Sequence, residues 1–182
     1  IVGIILGSGL NGLADSVQNA VHLPYGDLPN FPVSTVHGHA GRFVIGELEG
    51  KPVFVMQGRI HYYEGYTMGQ VTLPVRVMQR LGIPSMIVTN AAGGVHPDFE
   101  PGDVMLITDQ LNLMGMSGLN PLMGPNLDEI GPRFPDMSQP YDREYCDIAR
   151  KVAVSNSLTL REGVYAGLSG PSFESPADLR FL

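Results

Sequence analysis

The stretch Ile1-Val2-Gly3-Ile4-Ile5-Leu6-Gly7-Ser8-Gly9-Leu10-Asn11-Gly12 decides how the rest of the chain is read. Its first six residues are apolar and largely β-branched, the pattern of a strand buried on both faces, and Gly7 ends it. A strand that runs into a glycine loop is a unit of α/β proteins, in which ligands gather at the strand ends. The loop also satisfies the G-x-G-x-x-G spacing, so dinucleotide binding has to be weighed. That reading requires a second strand ending in an acidic residue about 20 positions further on. Here Asp27 sits between Gly26 and Leu28 in a proline- and glycine-rich loop, with no strand expected before it. A different use of the loop fits better. Its main-chain N–H groups, with the Ser8 hydroxyl as a further donor, can cradle one phosphate.

Outward from this strand the same grammar repeats. Residues 24–41 carry Pro24, Pro29, Pro32 and three glycines and read as a loop. Phe43 to Glu47 and Pro52 to Gln57 read as two strands of a hairpin turning at Glu49-Gly50. Thr67 is placed to cap a helix with apolar positions Val71, Val75, Met78 and Leu81, closed by Gly82, with Pro74 as a flaw in its interior. Met86 to Thr89, Val104 to Thr108 and Gly163 to Leu168 read as further strands, and Asp142 as the cap of a helix through Ile148 and Val152. Between them, residues 114–140 form a long irregular segment of the kind that is usually functional. The expected fold class is α/β, a single domain over residues 1–182 with a central mixed β-sheet surrounded by helices.

Bulk composition narrows the partners. A net charge of -7 gives no long-range attraction for nucleic acid or anionic lipid, so any phosphate must be held by local groups. The apolar run at the start is far shorter than the about 20 residues that span a bilayer, and no membrane partner is expected. One cysteine, Cys146, excludes an internal disulfide and suits a reducing, cytoplasmic setting. His37 and His39 lack a neighbouring cysteine or carboxylate set and fall short of a metal signature.

Three further motifs carry chemistry. In Gly58-Arg59-Ile60-His61-Tyr62-Tyr63-Glu64-Gly65, Arg59 and His61 would project the same way if strand geometry continues, offering a guanidinium fork and an imidazole to one oxyanion. Glu64 is close enough in sequence to accept from the other imidazole nitrogen and fix its tautomer. The alternative is a merely exposed charged strand end. Asn90-Ala91-Ala92-Gly93-Gly94 lets a ligand reach the main chain, or lets two backbones pack closely. Gly170-Pro171-Ser172-Phe173-Glu174 sets an aromatic face beside a carboxylate that can accept from ring N–H and amine groups, the alternative being a helix-start Glu beside a core Phe.

Taken in order, Ile5 to Leu10, His37 to Gly41, Gln57 to Gly65, Val88 to Gly94, Arg133-Phe134-Pro135 and Gly170 to Glu174 resemble the trimeric purine nucleoside phosphorylases of the 6-oxopurine type. The resemblance implies a phosphate site made by Ser8, Arg59, His61, His39 and the main chain of Ala91. It further implies nucleoside contacts from Tyr63, Ala91, Tyr165, Phe173 and Glu174, and from Phe134 of a neighbouring subunit in a homotrimer. His61, Glu64 and Glu174 become the candidate catalytic residues. The implied reaction is phosphorolysis of nucleosides such as inosine and guanosine to free base and (deoxy)ribose 1-phosphate. Inorganic phosphate is then a co-substrate, and neither a metal nor an organic cofactor is expected. The resemblance also implies that residues 1–182 are incomplete at the C-terminus, and the opening Ile1 suggests the same at the N-terminus. Methylthioadenosine phosphorylase shares the family fold, but Ser8 and the Phe173-Glu174 pair follow the 6-oxopurine pattern. A non-catalytic nucleotide-binding module built on the glycine loop is the rival from another class, and a nucleoside hydrolase would normally bring an aspartate-rich calcium site.

Overall fold

A computed structural model describes residues 1–35 and 40–182, which divide into two compact units, Ile1–Ala92 and Gly93–Leu182. In the first, β1 (Val2–Leu6), β2 (Gln18–Pro24), β3 (Arg42–Leu48), β4 (Lys51–Gln57) and β5 (Met86–Val88) form one mixed sheet in the order β2-β3-β4-β1-β5. β1 pairs in parallel with both β4 and β5, whereas β2, β3 and β4 are antiparallel neighbours.

The uninterrupted apolar run of β1 has its expected cause. Ile4 and Leu6 pack on one face with Val44, Val53, Val55, Ala14 and Val17, while Ile5 packs on the other with Phe43, Phe54, Met56, Tyr25 and Met78. Ala14 belongs to a 3-10 turn, Asn11–Ser16, and Met78 to helix α1 (Met68–Arg80), so local helical segments contribute to both faces. Each fully buried side chain of this kind contributes about 1.5–3 kcal/mol. The hairpin turns where expected, with Glu49 and Gly50 both at positive φ (48 and 68°), as a type I′ turn requires.

Helix α1 begins with a reciprocal cap. Thr67 Oγ1 accepts from the Gln70 amide, and Gln70 Oε1 accepts from the Thr67 amide. Gly82 and Ile83 close it by donating to Gln79 and Met78 carbonyls. The helix runs through Pro74. Its ring is fully buried, so the lost backbone bond is set against apolar burial. The core-facing positions are Pro74 and Met78, whereas Val75 and Leu81, expected on that face, are exposed.

One expectation is corrected. A strand, β2, does precede Asp27, followed by the single turn Tyr25–Asp27. It was not foreseen because its polar residues suit an outer strand, and its terminal Pro24 is tolerated at the end of an edge strand. The dinucleotide reading still fails, now on topology: β2 lies antiparallel at the far edge of the sheet, with β3 and β4 between it and β1.

In the second unit β6 (Val104–Asn112) and β7 (Leu160–Gly167) form a parallel pair, with α2 (Leu113–Met116) and α3 (Arg143–Ser155) in the connection between them and α4 (Pro176–Phe181) after β7. Both strands outrun their expected limits. β6 continues past Thr108 through a register shift, and the charged start of β7 is accommodated because Arg161 pairs with Asp103 and Glu162 with Arg150. Asp142 caps α3 as expected, accepting from the Tyr145 amide at 3.1 Å. No helix among the described residues is long and apolar enough to cross a membrane.

Candidate active site

The three parallel strands β4, β1 and β5 run side by side, with Leu6 opposite Gln57 and Ile5 opposite Val88, so their C-terminal ends share one edge of the sheet. Stretches singled out from sequence follow all three: Gly7-Ser8-Gly9 directly after β1, Gly58-Arg59 directly after β4, and Asn90-Ala91 one residue beyond β5. Neighbouring strands lie about 4.8 Å apart, so the topology alone gathers three turns into one small region.

Thr89 knits that edge together. Its hydroxyl donates to the Ile5 carbonyl at 3.0 Å and accepts from the Gly7 amide at 2.9 Å. The approach is close enough that a Cβ on Gly7 would fall 2.6 Å from the Asn90 Cα, which is why a glycine stands there. Arg59 Nη1 donates to the carbonyls of Leu6 (3.3 Å) and Thr89 (3.1 Å), so the guanidinium is anchored across the ends of β1 and β5. Gly58 has a φ of 87° and β4 has already ended at Gln57. The strand alternation expected to aim Arg59 and His61 therefore does not continue, and these carbonyl contacts place Arg59 instead. Beneath the turn, the Tyr25 hydroxyl donates to the Gly58 carbonyl at 2.7 Å, and burial pushes that phenol up from its ordinary pKa. Ser8 and Ala91 are both exposed at this edge.

His61 and Glu64 meet as expected. His61 Nδ1 lies 3.0 Å from Glu64 Oε1, which also accepts from the His61 amide at 2.6 Å. A carboxylate only accepts, so Nδ1 carries the proton in this contact. Glu64 Oε2 accepts from the Thr35 amide (2.6 Å), the Thr35 hydroxyl (2.8 Å) and the Ser34 hydroxyl (3.4 Å). The Glu64 side chain is 2% exposed. Burial alone would raise its pKa, but bonds from Thr35 and His61 outweigh it and hold the carboxyl at about 2. The Tyr63 ring stacks on His61 with centroids 4.7 Å apart.

The residues expected near the base and sugar belong to the second unit. Phe173 and Glu174 line a depression of about 300 Å³ with Leu113, Leu168 and Gly170. Phe173 is 97% exposed and is not a core residue, which removes half of its bland alternative. Glu174 does stand directly before the Ser175 cap of α4. Tyr165 is half-buried on β7 and does not line that depression. Phe134 is 86% exposed in the irregular segment, with the Arg133 guanidinium over its ring at 5.9 Å. His37 and His39 lie outside the described residues.

Sequence reasoning missed Thr89, Tyr25 and Thr35. No local pattern marks them, because each acts on a partner at least 29 residues away.

A mixed sheet with an arginine and a glycine-serine loop at its parallel strand ends, followed by a histidine–carboxylate pair, offers the donors that an oxyanion-binding α/β protein needs. The chain belongs to the Phosphorylase superfamily, whose family model matches residues 1–182. Within it, the chain is 55% identical over 181 residues to purine nucleoside phosphorylase 1 of Bacillus subtilis (strain 168), an alignment covering all of this chain and 66% of that protein. Its fold matches purine nucleoside phosphorylase of Schistosoma mansoni in complex with inosine (TM-score 0.92, 43% identity, 99% of this chain and 64% of that one). It likewise matches the same enzyme in complex with adenosine (TM-score 0.93, 43% identity, 99% and 64%). The chain spans about two thirds of the length of the curated relatives it matches.

Proposed function

We propose that the protein carrying this chain is a purine nucleoside phosphorylase acting on 6-oxopurine nucleosides such as inosine and guanosine, ribosides or deoxyribosides. The observation that carries the reading is that the Arg59 guanidinium is held by the carbonyls at the ends of β1 and β5, beside the Gly7-Ser8-Gly9 loop, with the His61–Glu64 pair following in the same segment after β4. Its likeness to phosphorylases that bind inosine supports the choice of substrate.

In this mechanism phosphate is held by Ser8, Arg59, His61 and the main chain of Ala91, with His39 as a further phosphate ligand. The C1′–N9 bond stretches first, its electron pair passing to the purine while the ribose gains oxocarbenium character. The phosphate anion stabilises that cation and then bonds to C1′, giving ribose 1-phosphate, and the phosphate proton ends, net, on the base. Catalysis is chiefly positioning and electrostatics. Glu64 orients His61. Tyr63, Tyr165 and Phe173 contact the sugar and base, and Glu174 accepts from the purine N1–H. Adenine offers a lone pair at that position, so a carboxylate opposite it is repelled and left unpaired. Adenosine occupies a relative's crystal structure, so the discrimination proposed here lies in turnover rather than in occupancy. Phosphate is the co-substrate, and the reaction uses no metal or organic cofactor. Exposed Phe134 completes a neighbouring subunit's sugar site in a homotrimer, and the enzyme works in the cytoplasm.

The test is release of hypoxanthine from inosine by the full-length protein, with and without phosphate. Phosphate-dependent release with slow adenosine turnover is expected. Release without phosphate would make the protein a hydrolase, no release would make it a binding module, and a preference for methylthioadenosine would move it to the sister activity. Equal rates on inosine and adenosine would reject the role given to Glu174.

A further inference from the structure

Among the described residues, five donor contacts converge on the Glu64 carboxylate, and they come from two separate segments. Oε1 is taken by the amide and Nδ1 of His61, three residues upstream. Oε2 is taken by the amide and hydroxyl of Thr35 and, at longer range, by the hydroxyl of Ser34. The segment that brings Thr35 is anchored apart from Glu64. Tyr66 donates its hydroxyl to the Val33 carbonyl at 2.6 Å, and the Phe31 ring packs against Tyr25 and Phe43 with centroids 5.0 and 5.3 Å away.

A carboxylate gripped at one oxygen only can turn about its terminal bond and present either oxygen, or neither squarely, to the imidazole. Gripping Oε2 from outside removes that freedom and commits Oε1 to His61. We infer that Thr35, assisted by Ser34, is a positioning residue for His61: its hydroxyl clamps Glu64 Oε2, and the clamped carboxylate holds the imidazole as the Nδ1–H tautomer in one orientation. The clamp rests on the phosphate role proposed above for His61 and adds to it a residue that itself touches no substrate. Thr35 is exposed while the carboxylate it holds is buried, so the hydroxyl can be removed without opening the core.

The experiment compares Thr35→Val, Thr35→Ser and Ser34→Ala in the full-length protein. Valine keeps the β-branched shape and the main-chain N–H but lacks the hydroxyl. Thr35→Val is expected to lower kcat/KM for phosphate about tenfold while KM for the nucleoside stays within about twofold of wild type. Thr35→Ser should restore the phosphate value, and Ser34→Ala, with its 3.4 Å contact, should fall between. The 15N spectrum of the His61 ring without substrate, assigned through His61→Gln, reads the clamp directly. Wild type should give one Nδ1–H tautomer and Thr35→Val a mixture. An unchanged ring signature in Thr35→Val, an unchanged kcat/KM for phosphate, or a Thr35→Ser variant as impaired as Thr35→Val would each overturn the assignment. Absence of phosphorolysis in wild type would instead sink the proposed function, leaving the ring spectra to decide whether Thr35 governs His61.

Discussion

Replacing Gly7 with alanine strikes the joint between the ends of β1 and β5. The added methyl carbon comes within 2.6 Å of the Asn90 Cα, 2.8 Å of the Thr89 carbonyl oxygen and 3.0 Å of the Asn90 nitrogen. All three are main-chain atoms, so no side-chain rotation relieves the overlap. A carbon–carbon contact that is optimal at about 3.5–4.0 Å is compressed by roughly 1 Å, and the strand ends must part. Overpacking of this kind costs about 1–3 kcal/mol, and losing the bond between the Gly7 amide and the Thr89 hydroxyl adds about 1 kcal/mol, for an expected loss of about 2–4 kcal/mol. Gly9→Ala is the control. Nothing lies within 4 Å of its added methyl, and only its φ of 86° opposes the change, at about 1–2 kcal/mol. Urea unfolding of the full-length protein measures both, as a shift of midpoint at constant slope. The phosphate KM of Gly7→Ala should rise as well, because the Thr89 carbonyl that anchors Arg59 moves with the strand end. A Gly7→Ala variant no less stable than Gly9→Ala would refute the close-approach account.

Arg59→Lys keeps the charge but loses the planar fork and the paired bonds to Leu6 and Thr89, and should cut kcat/KM for phosphate by about tenfold or more; steady-state kinetics with varied phosphate would contradict this by matching wild type. Glu64 has a folded pKa of about 2 against an ordinary 4.5. A depressed carboxylate stabilises the fold fully above its unfolded pKa and loses that contribution as pH falls through the folded one. The stability advantage of wild type over Glu64→Gln should therefore be complete near neutrality and shrink from 4.5 down to about 2; an advantage that stays flat across that window in urea titrations would disprove the assignment. Thr67→Ala removes the acceptor at the start of α1 and should cost about 1 kcal/mol in the same unfolding assay, with no change in the phosphate KM.

Much of this molecule is written in short-range pattern. The apolar run of β1, the Glu49-Gly50 turn, the Thr67 and Asp142 caps and the pairing of His61 with Glu64 each depend on residues a few positions apart, and each is present in the structure. The family itself is equally legible, because glycine loops, Arg59-Ile60-His61 and Phe173-Glu174 recur as ordered motifs. Where local pattern was weak the reading faltered. β2 interleaves polar Gln18, Asn19 and His22 with apolar residues on the outer edge of its sheet, and the buried face of α1 runs through Pro74, a residue that local rules count against a helix.

Sequence by itself determined most of the strands and turns, β2 excepted, and which side chains carry charge and hydroxyls. Tertiary structure alone decided that β1 lies between β4 and β5, and hence that three turns meet at one edge. It also decided that Thr89 bonds to Gly7 across 82 residues and that Thr35 reaches Glu64 across 29. The reason is that a hydroxyl's local context constrains its backbone but says nothing of its distant partner. That partner is chosen when the sheet buries its apolar faces and the chain path brings donors to acceptors.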